Sequence, residues 1–385
     1  EEGLYVAGTD AEQRTELLTQ QLLQWAQLDN GFCYIQPDID QTLDLLAKLP
    51  DRRLEDVIWI DLDRPKLQSR DQLADVPEGQ RVTITPLTPD ETPSTDCLAT
   101  PTWRARVIDF LDVCEQDPAV DWAVLSLLES ILECAVSQEL TLREVTSRVA
   151  RITNDRHDSG ADRRYVAEAE FDRRVAEQVA RVETEDSTVL GRVAECLHAF
   201  TVTPHNRVFR DETSISFRDA ITRDAILLVS GSRPHDDPPW GSGAHAITRA
   251  TQLLATTVLR RCWEALQYRP TGMGTMFPIA VDHVEEVLPR DPTVLREALS
   301  TQVDGGGRKR PAIWLSGPAP VHLAEPLRGI VRREIAAWEL LTTAPDLELE
   351  QLWRRLRPTD GENKVAPLSR LDHRAVLATA GTGLL

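Results

Sequence analysis

Two blocks of alternating strand and helix patterns, one in each half of the chain, constrain its fold more than any other feature. In the first block, the apolar runs Leu4–Ala7, Phe32–Ile35 and Val57–Asp61 alternate with segments of helical spacing, and Val82–Thr85 continues the series. Strands that alternate with helices form parallel sheets covered by helices on both faces. The block therefore predicts an α/β fold.

Strand signals disappear in the middle of the chain. Ala123–Val136 is densely apolar at helical spacing, and Thr141 and Glu144 have the spacing of a capping box, which starts a helix. Tyr165–Val182 has the pattern of a charged amphipathic helix. We therefore predict an all-helical insertion, preceded by a loop over the Pro-rich segment 88–102.

The alternation then returns. Strands are predicted at Ala225–Val229, Pro278–Asp282 and Ala312–Leu315, and helices at His245–Tyr268 and Arg328–Leu341. The predicted division is a first part of the α/β domain at 1–100, an all-helical insertion at 101–203, a second part at 204–345 and a C-terminal tail at 346–385.

Charge composition bears on environment and partners. The formal net charge is -19, and four of the 43 basic residues are lysines. An acidic, arginine-rich and lysine-poor chain is typical of salt-loving archaea, where an acidic shell keeps proteins hydrated; an ordinary acidic cytoplasmic protein is the alternative. Because salt weakens phosphate contacts, any DNA contact would need a local arginine-lined surface.

The six cysteines show neither a CxxC pair nor a cysteine–histidine spacing typical of zinc sites. We therefore interpret them as core thiols of a reduced, cytoplasmic protein. The sequence has no signal peptide and no apolar run long enough to span a bilayer. Because it begins with Glu1 rather than Met, we expect a missing upstream segment, and membrane association through that segment or a partner stays open.

The turn Gly8–Thr15 lies between a strand and a helix, where phosphate-binding loops lie. It keeps the first glycine and the final hydroxyl of the GxxxxGK[ST] pattern, whereas Gln13 replaces the second glycine and Arg14 the lysine. Gln13 loses the backbone freedom of glycine, and the guanidinium of Arg14 is wider than an ammonium group. Taken alone, the segment also fits an ordinary strand–turn–helix.

Further segments follow in a fixed order. Phe32–Asp40 has the form of a strand ending near DPxGD, with Gln36 in place of the first Asp and Ile39 in place of the Gly. Asp56–Asp61 has the form of a DVixiD strand, and Val82–Leu87 that of an NPL turn with Thr85 in place of the Asn. After the helical stretch, Ile215–Ser230 is similar to a helix–strand segment of the same series. This order, over residues 4–335, resembles that of the conjugative coupling proteins and HerA-like translocases of the FtsK/HerA superfamily.

The resemblance implies a RecA-like P-loop domain with a central, mostly parallel sheet and an inserted all-α domain. It also implies ATP and Mg²⁺ as cofactors if the site works, a homo-hexamer, and contact with DNA and, through the insertion, with a DNA-processing protein. It assigns the nucleotide to Gly8, Thr9, Asp10, Gln13, Arg14 and Thr15, the metal to Thr15 and Asp282, and the catalytic positions to Asp282 and His283. Glu285 and Glu286 lie close by in the sequence and are either substitute catalytic carboxylates or the acidic start of a helix.

Several identities depart from the family pattern. His283 stands where relatives carry a glutamate that polarises the attacking water, and Gly317 stands where they carry a glutamine that senses the terminal phosphate. Arg308 follows the chain's glycine run and fits either an arginine finger or a solvated loop. Together with Gln13 and Arg14, these departures predict a nucleotide site too altered for ordinary hydrolysis.

Three functions therefore stay open. The first is a degenerate, non-hydrolysing relative of DNA-translocating conjugative ATPases that acts in DNA transfer, either with ATP and Mg²⁺ bound or with no cofactor. The second is an active translocase in which Arg14 replaces the lysine and Glu285 or Glu286 the glutamate. The third is a non-enzymatic α/β interaction protein with a chance match to the phosphate-loop pattern.

Overall fold

The computed structural model describes residues 3–62, 82–87, 102–118, 120–158, 170–182, 188–201, 208–210, 213–232, 244–267, 276–300, 311–335, 337–341 and 376–379. The chain forms two compact units. The first comprises Glu1–Ile58, Arg218–Val229 and Arg261–Leu385, and the second comprises Trp59–Phe217 and Ser230–Arg260.

The described strands form one sheet. They are β1 Gly3–Gly8, β2 Phe32–Gln36, β3 Val57–Asp61, β4 Ile226–Ser230, β5 Pro278–Val281, β6 Ala312–Gly317, β7 Ala337–Leu341 and β8 Val376–Thr379, in the order β3-β4-β2-β5-β6-β1-β7-β8. The pairs β2–β5, β5–β6, β6–β1 and β1–β7 are parallel, and β7–β8 is antiparallel. The predicted α/β fold with a mostly parallel sheet is confirmed.

Helices follow the strands as the alternation predicts. They are α1 Ala11–Gln27, α2 Ile39–Lys48, α3 Thr102–Cys114, α4 Trp122–Ser137, α5 Leu142–Asp158, α6 Glu170–Val182, α7 Val189–Thr201, α8 Phe217–Thr222, α9 Ala244–Gln267, α10 Val284–Val287, α11 Thr293–Ser300 and α12 Glu325–Glu334. None of these described helices is both long and apolar enough to cross a membrane.

The sheet is buried because its central strands are apolar on both faces. Every residue of β1, β2, β4 and β5 is buried. Helix α1 buries Leu18 and Leu22, which lie four residues apart and so share one face of the helix. On the same helix, Trp25 meets Trp314 of β6 edge-on, with the ring centroids 6.1 Å apart. These contacts fix α1 against the sheet, and with it the turn that precedes it.

The middle of the chain contains α3–α7, and no strand is described between residues 102 and 201. Side-chain caps bind the free backbone N–H groups at the starts of α4 and α5. Asp121 accepts a hydrogen bond from Val124 N at 3.0 Å at the start of α4. Before α5, Thr141 N donates to Glu144 Oε2 at 2.9 Å and Glu144 N donates to Thr141 Oγ1 at 3.3 Å, which is the predicted capping box. The proposed domain boundaries stay a prediction.

Two predicted elements differ from the structure. Val82–Thr85 is not a strand: Ile84 forms an isolated parallel bridge with Phe209, while the backbone N–H of Thr83 donates to a serine hydroxyl, Ser214 Oγ. Side-chain hydroxyls accept from the backbone N–H groups of Thr83 and Thr85, and the backbone pairing is limited to the bridge at Ile84. Arg308, for which an arginine finger and a solvated loop are the two interpretations, lies outside the described residues.

The predicted helix Arg328–Leu341 is wrong in its second half. Helix α12 ends at Glu334, Ile335 is extended with φ -88° and ψ 122°, and the chain continues as β7. Strand β7 pairs in parallel with β1, with Leu4 opposite Ala337. This pairing joins residues more than 300 positions apart in the sequence, so local periodicity does not reveal it.

Candidate functional site

The turn between β1 and α1 is shorter than the phosphate-loop pattern implies. The pattern assigns Thr9–Glu12 to a loop, but α1 begins at Ala11, so that two residues, Thr9 and Asp10, separate strand from helix. Asp10 caps α1: its Oδ1 accepts from the backbone N–H groups of Glu12 at 3.0 Å and Gln13 at 3.2 Å. Two amides that a phosphate would use therefore already bind a carboxylate of the chain.

The side chain of Arg14 folds back over the turn between β1 and α1. Its side chain is 4% exposed; Nη1 donates to the carbonyl oxygen of Gly8 at 2.6 Å, and Nη2 donates to Glu285 Oε1 at 3.0 Å. The guanidinium thus joins the end of β1 to the segment after β5. The cation at the lysine position of the pattern is held by partners within the protein.

Asp282 lies at the end of β5 and is fully buried. Its Oδ2 accepts from Thr15 Oγ1 at 2.6 Å and from Tyr34 Oη at 3.0 Å, and its Oδ1 accepts from the backbone N–H of His283 at 3.0 Å. Three donors therefore stabilise this carboxylate. Thr15 and Asp282, the two residues that the family resemblance assigns to Mg²⁺, bond directly to each other.

His283 follows Asp282 in the left-handed conformation, with φ 52° and ψ 54°, which costs a non-glycine residue about 1–2 kcal/mol. Its ring is buried; Nε2 lies 3.3 Å from Thr15 Oγ1, and Nδ1 lies 3.7 Å from Glu286 Oε1 and 4.0 Å from Glu285 Oε1. The ligand atoms of His283, Glu285 and Glu286 lie within 4.8 Å of one another, so these three could hold a divalent ion.

Two tyrosines belong to this network that the sequence did not reveal. Burial, followed by the charge of Asp282, raises the pKa of Tyr34 well above its usual value. Tyr5 is also fully buried and donates to the carbonyl oxygen of Pro318 at 2.7 Å; burial, followed by the charge of Glu285, raises its pKa. Both phenols are therefore neutral donors. In the sequence they are indistinguishable from core residues of β1 and β2.

Gly317 is required by packing. A Cβ placed on it would lie 2.5 Å from Tyr5 Oη, 2.8 Å from Val284 Cγ2 and 3.2 Å from Glu285 Oε2. The side chains at the end of β6 therefore fill the space that a glutamine at this position would need.

We expect Gly317→Ala to destabilise the fold by about 1–3 kcal/mol, because the new methyl group overlaps the buried Tyr5 hydroxyl. Urea unfolding followed by circular dichroism measures the change. Gly191→Ala is the matched control: a Cβ there meets nothing within 4 Å, and alanine in helix α7 should add about 0.5–1 kcal/mol. Equal unfolding midpoints for the two variants would contradict this packing role.

Glu285 combines an ion pair with a raised pKa. Burial of its carboxyl raises the pKa to about 7, with smaller upward contributions from Glu286 and Asp282; the charge of Arg14 opposes the shift. Because 29% of the side chain is exposed, burial here is partial, yet it outweighs the attraction of the guanidinium. Glu285 is thus a carboxyl group that changes charge near neutral pH.

This shift predicts a pH-dependent stability. A carboxyl whose pKa is higher in the folded state contributes stability below its unfolded pKa of about 4.5 and loses it as pH rises through 7. Because solvent screens this partly exposed carboxyl, we expect Glu285→Gln to abolish a loss of about 1–2 kcal/mol between these limits, measured by urea unfolding at fixed salt. Glu285→Asp keeps an ionisable group and should keep the slope. An unchanged slope in Glu285→Gln would exclude this assignment.

As built, the turn does not fit a triphosphate. A phosphate at the start of α1 would have to displace the Asp10 carboxylate from the amides of Glu12 and Gln13, and Arg14 would have to leave Gly8 and Glu285 before it could face a phosphate. Of the residues that the sequence assigns to this site, Arg14, Thr15, Asp282, His283, Glu285 and Glu286 form one connected cluster. Thr9 and Gln13 are exposed at its edge.

No protein-family model and no curated protein matches the sequence. Solved structures do resemble it. The unbound bacterial conjugative coupling protein TrwB has a TM-score of 0.53 at 11% identity, covering 88% of this chain and 68% of its own. VirB4 of Thermoanaerobacter pseudethanolicus has a TM-score of 0.52 at 11% identity, covering 91% of this chain and 80% of its own.

TrwB in complex with ADP and Mg²⁺ has a TM-score of 0.51 at 11% identity and covers 88% of this chain and 70% of its own. At such low identity the likeness concerns the fold alone, and it agrees with the mostly parallel sheet of this chain. The chain therefore has the RecA-like P-loop ATPase fold that the conjugative coupling protein TrwB and VirB4 share.

Proposed function

We propose that this chain is a non-hydrolysing relative of the DNA-translocating conjugative ATPases and acts in DNA transfer as a structural or partner subunit. The proposal rests on the Asp10 carboxylate, which accepts hydrogen bonds from the backbone N–H groups of Glu12 and Gln13 at the start of α1. In a working phosphate loop those amides face the nucleotide. Here the chain supplies its own anion to them.

Electrostatics at the turn support the same conclusion. Asp10 and Glu12 add negative charge to the place where a triphosphate would bind, and like charges at short distance repel. Arg14 does not offset them, because Gly8 and Glu285 bind its guanidinium. A nucleotide would thus meet two carboxylates and a cation that is already paired.

Catalytic positions are altered as well. Phosphoryl transfer depends on charges held in fixed positions, and loss of one such contributor typically costs about 100-fold or more in rate. His283 replaces a carboxylate, and at Gly317 the surrounding side chains leave no room for a phosphate-sensing group. The proposal therefore combines weak nucleotide binding with slow chemistry.

The remaining role is one of assembly. We propose that the helical segment 101–203 is an inserted domain that binds a DNA-processing protein, and that the α/β parts 1–100 and 204–345 pack in a homo-hexamer beside DNA. The described helices α3–α7 lie in this segment. The acidic composition makes a local arginine surface the expected DNA contact.

ATP turnover in molar KCl with Mg²⁺ tests the proposal. We expect a rate equal to that of the Asp282→Ala variant, because no hydrolysis passes through this carboxylate in the proposed role. Magnesium-dependent turnover that Asp282→Ala abolishes would refute the proposal. Circular dichroism of both proteins verifies that the comparison is made between folded chains.

One observation favours an active ATPase instead. A general base works best when its pKa lies near the working pH, and burial raises the pKa of Glu285 to about 7. In this second candidate function Glu285 takes the catalytic role that His283 has lost. Turnover that falls at least ~100-fold in Glu285→Gln, while the fold is unchanged, would favour it over the non-hydrolysing role.

The third interpretation is a non-enzymatic α/β interaction protein with a chance match to the phosphate-loop pattern. It would require that the structure lack a central parallel sheet, or lack the juxtaposition of Gly8–Thr15 with Asp282. Both are present, although β6 lies between β1 and β5, so the two motifs do not sit on adjacent strands. Thr15 of α1 nevertheless reaches Asp282. The two segments that match the family pattern in the sequence therefore also contact each other in the fold.

A further inference from the structure

A pair of thiols lies inside the second compact unit and contributes no residue to the site described above. Cys114 is the last residue of α3 and Cys196 lies in α7; their Sγ atoms are hydrogen-bonded at 3.3 Å, although 82 positions separate them in the sequence. This distance is shorter than a van der Waals contact between sulfur atoms. A disulfide bond needs about 2.05 Å, so a shift of little more than 1 Å would allow it to form.

The two helices hold the thiols against each other. Phe110, one turn before Cys114, and Phe200, one turn after Cys196, meet edge-on with ring centroids 5.0 Å apart. Both rings are fully buried. The thiol contact is therefore accompanied by a second buried side-chain contact between the same two helices.

A cation lies beside one of the two sulfur atoms. Arg249 Nη1 is 4.0 Å from Cys196 Sγ, and the same nitrogen lies 2.8 Å from Asp117 Oδ2. The side chains of Arg249 and Asp117 are 13% and 17% exposed, so Cys196 is one side chain away from solvent. A small oxidant therefore has a short path to this sulfur.

The thiols differ in acidity. The hydrogen bond between the two thiols, followed by the charge of Arg249, lowers the pKa of Cys196, although burial opposes the shift. Burial, followed by the interaction with Cys196, raises the pKa of Cys114 well above its usual value. The thiolate is the form that reacts with oxidants, and sensor cysteines are often paired with a second, resolving thiol.

We propose that Cys114 and Cys196 form a redox-modification site in which a hydroperoxide converts the thiol pair into a disulfide bond between α3 and α7. The thiolate of Cys196 attacks hydrogen peroxide, giving a sulfenic acid and hydroxide. The thiol of Cys114 then attacks the sulfenic sulfur, its proton combines with the departing hydroxide, and water leaves. The two sulfur atoms together lose two electrons, and the peroxide is reduced.

The first compact unit offers a matched internal control. Cys33 and Cys262 are also hydrogen-bonded to each other and fully buried. Burial raises the pKa of Cys262 well above its usual value, and no cation contributes to that shift. If proximity alone decided the chemistry, both pairs would oxidise alike. If the cation and the short path decide it, the Cys114–Cys196 pair reacts first.

The test is hydrogen peroxide treatment of the full chain, followed by alkylation and peptide mass analysis. We expect a Cys114–Cys196 cross-linked peptide lighter by about 2 Da than its reduced parts, while Cys33 and Cys262 remain alkylated. Cys33–Cys262 oxidation at an equal or greater rate, or alkylation of Cys114 and Cys196 without a cross-link, would overturn the proposal. Mapping of the unaltered protein needs no variant and so does not depend on a variant's folding.

Variants separate the roles of the three residues. Cys114→Ala should leave a sulfenic acid on Cys196 that dimedone traps, whereas Cys196→Ala should give no adduct at position 114. Arg249→Met should slow the reaction about tenfold, and Arg249→Lys should retain most of the rate. Dimedone labelling of Cys114 in the Cys196→Ala variant, or an unchanged rate in Arg249→Met, would contradict the assigned roles.

Discussion

Asp282→Ala should lower the free energy of unfolding by about 3–5 kcal/mol, the largest effect that we expect from a single substitution in this chain. The reason is that one buried carboxylate accepts from Thr15, Tyr34 and the backbone N–H of His283. Truncation leaves these three donors in a place that water does not reach. Urea unfolding at fixed salt and neutral pH measures the loss.

A graded comparison distinguishes this network from a general effect of mutating the core. Tyr34→Phe removes one of the three donors and leaves the carboxylate in place, so we expect a loss of about 1 kcal/mol. Asp282→Asn keeps the shape, but its amide N–H₂ opposes the N–H of His283 or the hydroxyl donors, and we expect an intermediate loss. Equal stability of Asp282→Ala and the parent chain would show that Asp282 does not anchor the site.

Rebuilding the phosphate loop should raise the affinity for MgATP at least ~100-fold. The variant Asp10→Gly/Gln13→Gly/Arg14→Lys removes the carboxylate from the α1 amides, returns glycine freedom to the turn and supplies a lysine. Each regained charge-assisted hydrogen bond is worth about 1.5–3 kcal/mol, so two suffice for the expected gain. Isothermal titration calorimetry measures the affinity.

The control for this variant retains the cap. Asp10→Ser/Arg14→Lys keeps an oxygen acceptor for the amides of Glu12 and Gln13 and leaves Gln13 in place, so no gain is expected. Loss of the cap in the rebuilt variant should cost about 1 kcal/mol of helix stability, and its unfolding curve must therefore be recorded alongside. A rebuilt variant that is folded yet binds no better than the control would exclude the turn as the cause of weak binding.

Much of the fold could be predicted because its strands are short apolar runs between helical patterns. The sequence predicts elements that depend on local chemistry, and the capping box of α5 at Thr141 and Glu144 is a confirmed example. The start of α1 could also have been predicted: Asp10 followed by Gln13 three residues later is itself a capping-box signal, and it competes with the phosphate-loop pattern over the same residues.

Other features depend on contacts between distant parts of the chain. Strand β7 is one example, because its pairing with β1 overrides the helical spacing of Arg328–Leu341. The bond of Tyr34 to Asp282 is another, since nothing in the alternation of β2 distinguishes this tyrosine from a core residue. The sequence identifies Gly317 as the position of a missing phosphate-sensing residue, but the need for glycine arises from the hydroxyl of Tyr5, which is more than 300 positions away in the chain.

Calorimetric titration of MgATP into the unaltered chain in molar KCl tests most directly whether the Asp10 cap and the paired Arg14 close the site. We predict no binding heat up to about 1 mM nucleotide, which corresponds to a Kd weaker than that concentration. Micromolar binding that disappears on Arg14→Ala would contradict a closed site and show that the guanidinium releases Gly8 and Glu285 to meet the phosphates.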